Sequence, residues 1–248
     1  MKKAYFLHHL GLGDHIICNA IYRSCAKKYD MCVIPVKQRN FQSVSDMLRD
    51  LENIHIIPLE DKIADLLMIQ QEYHYKMLGF DLIKLGHFGR NFLEDPDKHF
   101  DANFYLQAGI EFQKRWSGFD YPRNFEAEHK LFVQVCEGTE EGEYIFLHED
   151  PSRGDIINRN FVEEGYKIIT PGIKKQHILG DDENGNFFNY GYILENAASI
   201  HCIESSFAIF VDSLGLSNKK YIHRYTRHDI IDDNRLGPTY KLEWDIRE

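Results

Sequence analysis

The chain has 248 residues, 43% of them hydrophobic, and a net charge of −10. That apolar content supplies a core for one large α/β domain or two small ones, so disorder is not expected. The acidic balance, with most lysines unclustered, excludes a broad grip on nucleic acid, whereas a small phosphorylated ligand needs only a local pocket of amides and one or two cations.

No apolar run reaches the roughly 18 residues of a membrane span, and residues 1–9 are too short and polar for a signal peptide, so a cytoplasmic protein is expected. Cys18, Cys25, Cys32, Cys136 and Cys202 form no Cys-x-x-Cys pair and read as small buried hydrophobes.

Residues 4–8 read as a buried strand that turns through Gly11 and Gly13 into an amphipathic helix from about Asp14 to Lys28. The two glycines let the backbone bend sharply and approach a bound group closely. Asp14 then stands at the helix mouth above the carboxyl ends of the strands, where open α/β sheets bind ligands. A dinucleotide fingerprint is not completed. Ile16 stands where a third small residue is needed, and Val36 and Lys37 end the second strand without an acid.

A strand over 31–36, a helix over 41–51 and a strand over 54–59 continue a repeated β-α unit, which implies a parallel sheet. The stretch 61–116 holds a helix near 63–68, a strand over 81–85 and a helix over 103–109. Its Phe, Tyr and His content suits an acceptor pocket or plain core packing. A helix over 125–135 and the polar, glycine-bearing run 136–143 mark a seam, giving domains 1–122 and 123–248. A second alternating series follows: strands over 144–148 and 167–170, a helix over 192–198, a strand over 200–203, a helix over 207–214 and a strand over 220–223. Two Rossmann-like halves with mainly parallel sheets, facing a central cleft, are the expected α/β architecture.

The second half has its own strand-to-helix junction at Ser199-Ile-His-Cys-Ile-Glu-Ser-Ser-Phe207. Amides at such a helix start suit a diphosphate, and Glu204 is placed for hydroxyls such as those of a ribose. The alternative is an ordinary capped helix with Glu204 as a surface acid.

Taken together, Gly11-Leu-Gly-Asp14 and the run from Ala197 through Glu204-Ser-Ser206 to Leu214-Gly215 resemble the GT-B glycosyltransferases, and within them the ADP-heptose lipopolysaccharide heptosyltransferase family. Tyr144–His148 with the loop through Arg153 resembles that family's strand and basic loop opening the donor domain. Lys167-Ile-Ile-Thr-Pro171-Gly172 resembles the strand and turn against which a nucleotide base lies. Glu204 departs from the family's usual aspartate, and the helix after Ser206 lacks its glycine and histidine pattern.

The resemblance implies a metal-independent, inverting transfer from a nucleotide-diphosphate sugar to a hydroxyl of a glycan or other acceptor, with no cofactor. It implies an N-terminal acceptor-side domain and a C-terminal nucleotide-sugar-binding domain. Asp14 is then the base, with a helix N-cap as its alternative role. Gly11, Gly13, Arg153, Pro171, Gly172, Glu204, Ser205 and Ser206 are the donor-side set, with Arg159 second to Arg153 as the diphosphate cation. His9 and His15 are placed on the acceptor side. A non-hydrolysing sugar-nucleotide epimerase and a non-catalytic nucleotide-sugar-binding protein of the same fold are the competing readings.

Other motifs carry less. His8, His148 and His201 read as core histidines, and Lys174 and Lys175 as solvated lysines. Asp95-Pro-Asp97 has the Asp-x-Asp form of metal-dependent transferases but reads as a surface turn. Asp181–Gly185 lacks the closing acid of a calcium loop. No His-x-x-x-His pair, Gly-x-Ser-x-Gly elbow or phosphate loop occurs.

Overall fold

A computed structural model describes residues 1–89, 99–171, 186–226 and 237–248. Gly172, Asp95, Asp97, Lys174, Lys175 and the 181–185 stretch lie outside them. The chain divides into two compact units, one built on Met1–Pro122 with the short segment ending at Thr239, the other on the remainder from Arg123.

The first unit is a parallel sheet of β1 (Lys3–Leu7), β2 (Met31–Lys37), β3 (Ile54–Leu59) and β4 (Asp81–Lys84) in the order β3-β2-β1-β4. β1 is buried on both faces, as the unbroken run Ala4-Tyr-Phe-Leu7 requires of a central parallel strand. Tyr5 and Leu7 point into a cluster with Val33, Leu59, Ala64 and Met68, and the Tyr5 hydroxyl donates to the Met68 carbonyl at 3.1 Å. Phe6 points the other way and meets the Tyr22 ring edge-on at 5.1 Å.

Helices cover both faces of this sheet. On the Phe6 side lie α1 (Leu12–Ile17) and α2 (Asn19–Ala26). The expected single helix is broken at Cys18, where ψ is −3° and the amide is shared between the Asp14 and Ile16 carbonyls. α3 (Phe41–Met47) links β2 to β3 and is shorter than its pattern suggests. α4 (Ala64–Met77) is longer than expected and packs Ala64 and Met68 on the Tyr5 side. α5 (Phe100–Ala108) is tied to α1 by the Tyr105 hydroxyl, which donates to the Ile17 carbonyl at 2.7 Å. The short α6 (Lys114–Ser117) has no counterpart in the sequence pattern.

The second unit is likewise all parallel. β5 (Tyr144–His148), β6 (Lys167–Ile169), β7 (Ser199–Cys202), β8 (Lys219–His223) and β9 (Asp245–Arg247) run in the order β6-β5-β7-β8-β9. α7 (Phe125–Val135) and α8 (Gly191–Glu195) pack beside it. α9 (Ser206–Leu214) lays Phe207 against Phe146 with ring centroids 5.1 Å apart. The opposite face holds Ile145, Leu147, Ile157, Val162 and Ile203.

Buried Asp212 on α9 accepts from the backbone amides of Lys241 at 3.0 Å and Leu242 at 2.9 Å. That anchor precedes β9, whose three residues carry no apolar pattern. All five cysteines are buried and unpaired, and no helix among the described residues is long and apolar enough to cross a membrane.

Candidate functional site

Each sheet has a point where the crossover direction reverses: between β1 and β4 in the first unit, and between β5 and β7 in the second. Loops leaving neighbouring strands at such a point diverge and open a crevice at the carboxyl edge.

In the first unit the loop after β1 carries His8, His9, Leu10 and Gly11. Helix α1 begins at Leu12, with Gly11 as its N-cap, so Asp14 is the third residue of the helix rather than its first. The Gly11 amide donates to Asp14 Oδ2 at 3.2 Å, which is one half of a capping box; glycine has no side chain to supply the other half. A Cβ at position 11 would lie 2.6 Å from that same oxygen, so the glycine allows the carboxylate to fold back over the loop. The Asn40 side chain donates to the Leu10 carbonyl at 3.1 Å and fixes the loop from the β2 side.

Asp14 is half-buried, and burial pushes its carboxyl up to about 6, against the opposing pull of the Gly11 amide and the Lys37 cation. An acid in the first turn of a helix is ordinarily held below its usual value. Here desolvation outweighs the helix.

His15 does not face an acceptor. It is fully buried, with Nδ1 hydrogen-bonded to the Tyr22 hydroxyl at 3.1 Å and Nε2 without a partner among the described residues. The amphipathic pattern of α1 turns this position inward, and burial lowers the ring's pKa well below 6.5. His8, also buried, is lowered to about 4 by desolvation.

His9 is the histidine that leaves the core. Its Nε2 lies 2.9 Å from Nδ1 of His87, which follows β4. Gly86 makes this meeting possible: its φ is +64°, and a Cβ there would lie 2.3 Å from His9 Nε2. The Gln107 amide bonds both backbone groups of Gly86, at 2.7 and 3.1 Å, and so props the turn from α5.

In the second unit Ser205 is the N-cap of α9, and its hydroxyl lies 3.0 Å from His148 Nδ1 at the end of β5. Ser206 opens the helix. Glu204 is nearly buried and accepts from Arg224 Nε at 3.0 Å, so it is neither an ordinary surface acid nor a lone carboxylate. Arg153 is 67% exposed and pairs with Asp150 at 3.2 Å. Arg159 grips both oxygens of Glu149, at 2.7 and 2.8 Å. Pro171 is half-buried just past β6.

A hydrogen-bonded chain whose two histidines are buried runs from half-buried Glu163 through His201 (2.8 Å) and His223 (3.0 Å) to the Tyr225 hydroxyl (3.2 Å). Among the described residues no group of three His, Cys, Asp or Glu is placed to hold a metal ion.

His87 and Arg224 are absent from the sequence-derived set. Each follows a strand that only the sheet order brings beside the junction. The one available signal was a polar residue just past a strand's carboxyl end.

The histidines give one prediction. Burial holds His8, His148 and His223 at about 4 in the fold, against 6.5 unfolded. Their contribution is complete above pH 6.5 and is lost as pH falls toward 4, because the unfolded chain takes up those protons first. Thermal melts across that window should show a falling Tm; a flat Tm would mean that the rings titrate normally in the fold.

No family model matches this sequence, and no curated protein matches it. Among solved structures the chain is similar to E. coli ADP-heptose LPS heptosyltransferase II. The two are 10% identical, with 90% of this chain and 84% of that chain covered and a TM-score of 0.48.

Proposed function

We propose that this protein is a metal-independent, inverting glycosyltransferase that moves a sugar from a nucleotide-diphosphate sugar to a hydroxyl of a glycan or other acceptor, without a cofactor. The observation that carries the reading is Asp14: a half-buried carboxylate at a sheet's crossover point, folded over a two-glycine turn, with its pKa raised to about 6. A base is most effective when its pKa lies near the working pH, and burial brings this one there. The two glycines and the aspartate are also the residues that carry the motif resemblance.

In the proposed mechanism Asp14 takes the proton of the acceptor hydroxyl as that oxygen attacks the anomeric carbon. The bond to the nucleotide diphosphate breaks on the opposite face, and the leaving group carries away the electron pair. The amide end of α9, with Ser205 and Ser206, stabilises the departing diphosphate. Arg153 is the proposed cation: it is exposed, and an incoming phosphate can compete with its partner Asp150. Glu204, held by Arg224, accepts from a ribose hydroxyl, and Pro171 borders the base.

Thermal shift against UDP-, GDP-, ADP- and CMP-linked sugars is the first test. A donor at about 100 times its Kd should stabilise the fold by about 2.7 kcal/mol. One nucleotide class is expected to raise the Tm, and incubating that donor with acceptors should then release free nucleoside diphosphate and a glycosylated product. No shift with any donor would sink the reading. Isomerised donor in the absence of acceptor would identify an epimerase instead.

A further inference from the structure

Helix α4 is apolar on two opposite faces. Ala64, Met68 and Tyr75 face the sheet. On the other side Leu66, Ile69, Tyr73 and Met77 are 68%, 48%, 71% and 70% exposed, at spacings of three, four and four residues that set them in one stripe. Ile63, three residues before Leu66, extends it at the start and is also exposed. A helix that is apolar all round is normally covered on both sides. The stripe presents on the order of 600 Å² of apolar surface, as large as the largest patch on a typical monomer and not far from the ~800 Å² per partner of a standard interface.

The order of residues along the stripe identifies what covers it. Reversed end for end about residue 71, the stripe maps onto itself to within one residue: Ile69 falls opposite Tyr73, and Leu66 one residue from Met77. The charges obey the same symmetry. Asp65 near the start of α4 and Lys76 near its end lie along the same flank of the stripe, both exposed and without an ion-pair partner among the described residues. In an antiparallel helix pair equivalent flanks meet, which sets Asp65 against the other helix's Lys76 twice over.

We propose that α4 pairs antiparallel with α4 of a second copy of this chain across a two-fold axis near residue 71. The contact is isologous, as two-fold dimers require. Its core is the Leu, Ile, Tyr and Met stripe, and its two rim pairs set the direction. A membrane surface fits less well. The flanking Lys62, Asp65, Glu72 and Lys76 are mixed in sign, and the chain carries −10 overall, whereas surface-binding helices are rich in lysine and arginine.

Sedimentation equilibrium on the full chain tests this. Wild type should dimerise with a Kd on the order of micromolar. Asp65→Lys and Lys76→Asp, each placing like charges together twice, should each weaken the dimer about tenfold. Mixing those two variants should restore wild-type affinity as a heterodimer, because the introduced lysine of one variant then meets the introduced aspartate of the other; no other occupant of the stripe predicts that rescue. Tyr73→Asp should leave a folded monomer. A wild type that is monomeric at every concentration, or a dimer indifferent to Tyr73→Asp, would overturn the proposal, as would recruitment to anionic vesicles without self-association.

Discussion

Asp14→Asn should lower sugar transfer by about 10²- to 10⁴-fold, the usual contribution of a positioned base, and leave donor affinity unchanged. The substitution is conservative where it must be. An asparagine oxygen still accepts from the Gly11 amide, which now bonds Asp14 Oδ2 at 3.2 Å, so the turn keeps its shape and only the capacity to take a proton is lost. In wild type the rate should rise with pH through about 6, where the carboxyl ionises. The residual rate of the variant should lack that inflection.

The same residue makes a stability prediction of opposite sign. Folding raises the Asp14 pKa from 3.8 to about 6, so between those values the folded state holds a proton that the unfolded chain has lost, and stability falls as pH rises through the window. Above it the ionised aspartate costs on the order of 2 kcal/mol, discounted for its partial exposure. Asp14→Asn should therefore melt higher than wild type at pH 8 and match it below pH 4. A residue retained only as a helix cap would destabilise on replacement. Turnover and donor binding by calorimetry, with melts at both pH values, separate the two roles; full turnover in the variant would remove Asp14 from the mechanism.

How far the sequence disclosed this arrangement depended on the kind of signal each element carries. Strands buried on both faces announce themselves by unbroken apolar runs. β5, at Tyr144–His148, is such a strand and lies where the pattern put it, as do the edge strand β3 at Ile54–Leu59, whose apolar run is broken by His55 and Pro58, and the amphipathic α7 at Phe125–Val135. Helix α4 runs past its expected end at Met68 because its second apolar face erases the period that a helix reading depends on. β9 has no pattern at all; backbone pairing to β8 and the Asp212 anchor hold it.

The candidate site divides in the same way. Asp14 was legible because two glycines and a carboxylate within four residues are a local signature. Its burial was not, since that depends on how neighbouring strands close around it. His87, 78 residues from His9, and Arg224, 20 residues from Glu204, become neighbours only through sheet order. His15 shows the complementary limit: adjacent helical residues differ by about a quarter turn, so a half-buried Asp14 implies little about the residue beside it, and His15 is fully buried.

The largest expected effect on stability is remote from any proposed chemistry. Arg115 is fully buried, with its guanidinium hydrogen-bonded to the equally buried Asp101 and, at 2.5 Å, to the Thr239 carbonyl. Asp101 in turn accepts from the Thr239 amide at 3.0 Å, the Thr239 hydroxyl at 3.1 Å and the Ala102 amide at 3.0 Å. This one carboxylate therefore neutralises a buried cation and fastens the segment ending at Thr239.

Asp101→Ala would strand the guanidinium and unsatisfy the Thr239 donors together, and should cost about 3–5 kcal/mol in urea denaturation, a large share of the roughly 5–15 kcal/mol typical of a fold. Arg115→Met should cost less, because Asp101 keeps its three other donors and methionine refills the volume. The double variant Asp101→Ala with Arg115→Met should recover part of the loss, since no uncompensated charge is left inside. If instead the two single losses simply add in the double variant, the ion pair is not the unit that holds this segment, and Thr239 is tied down by the other contacts alone.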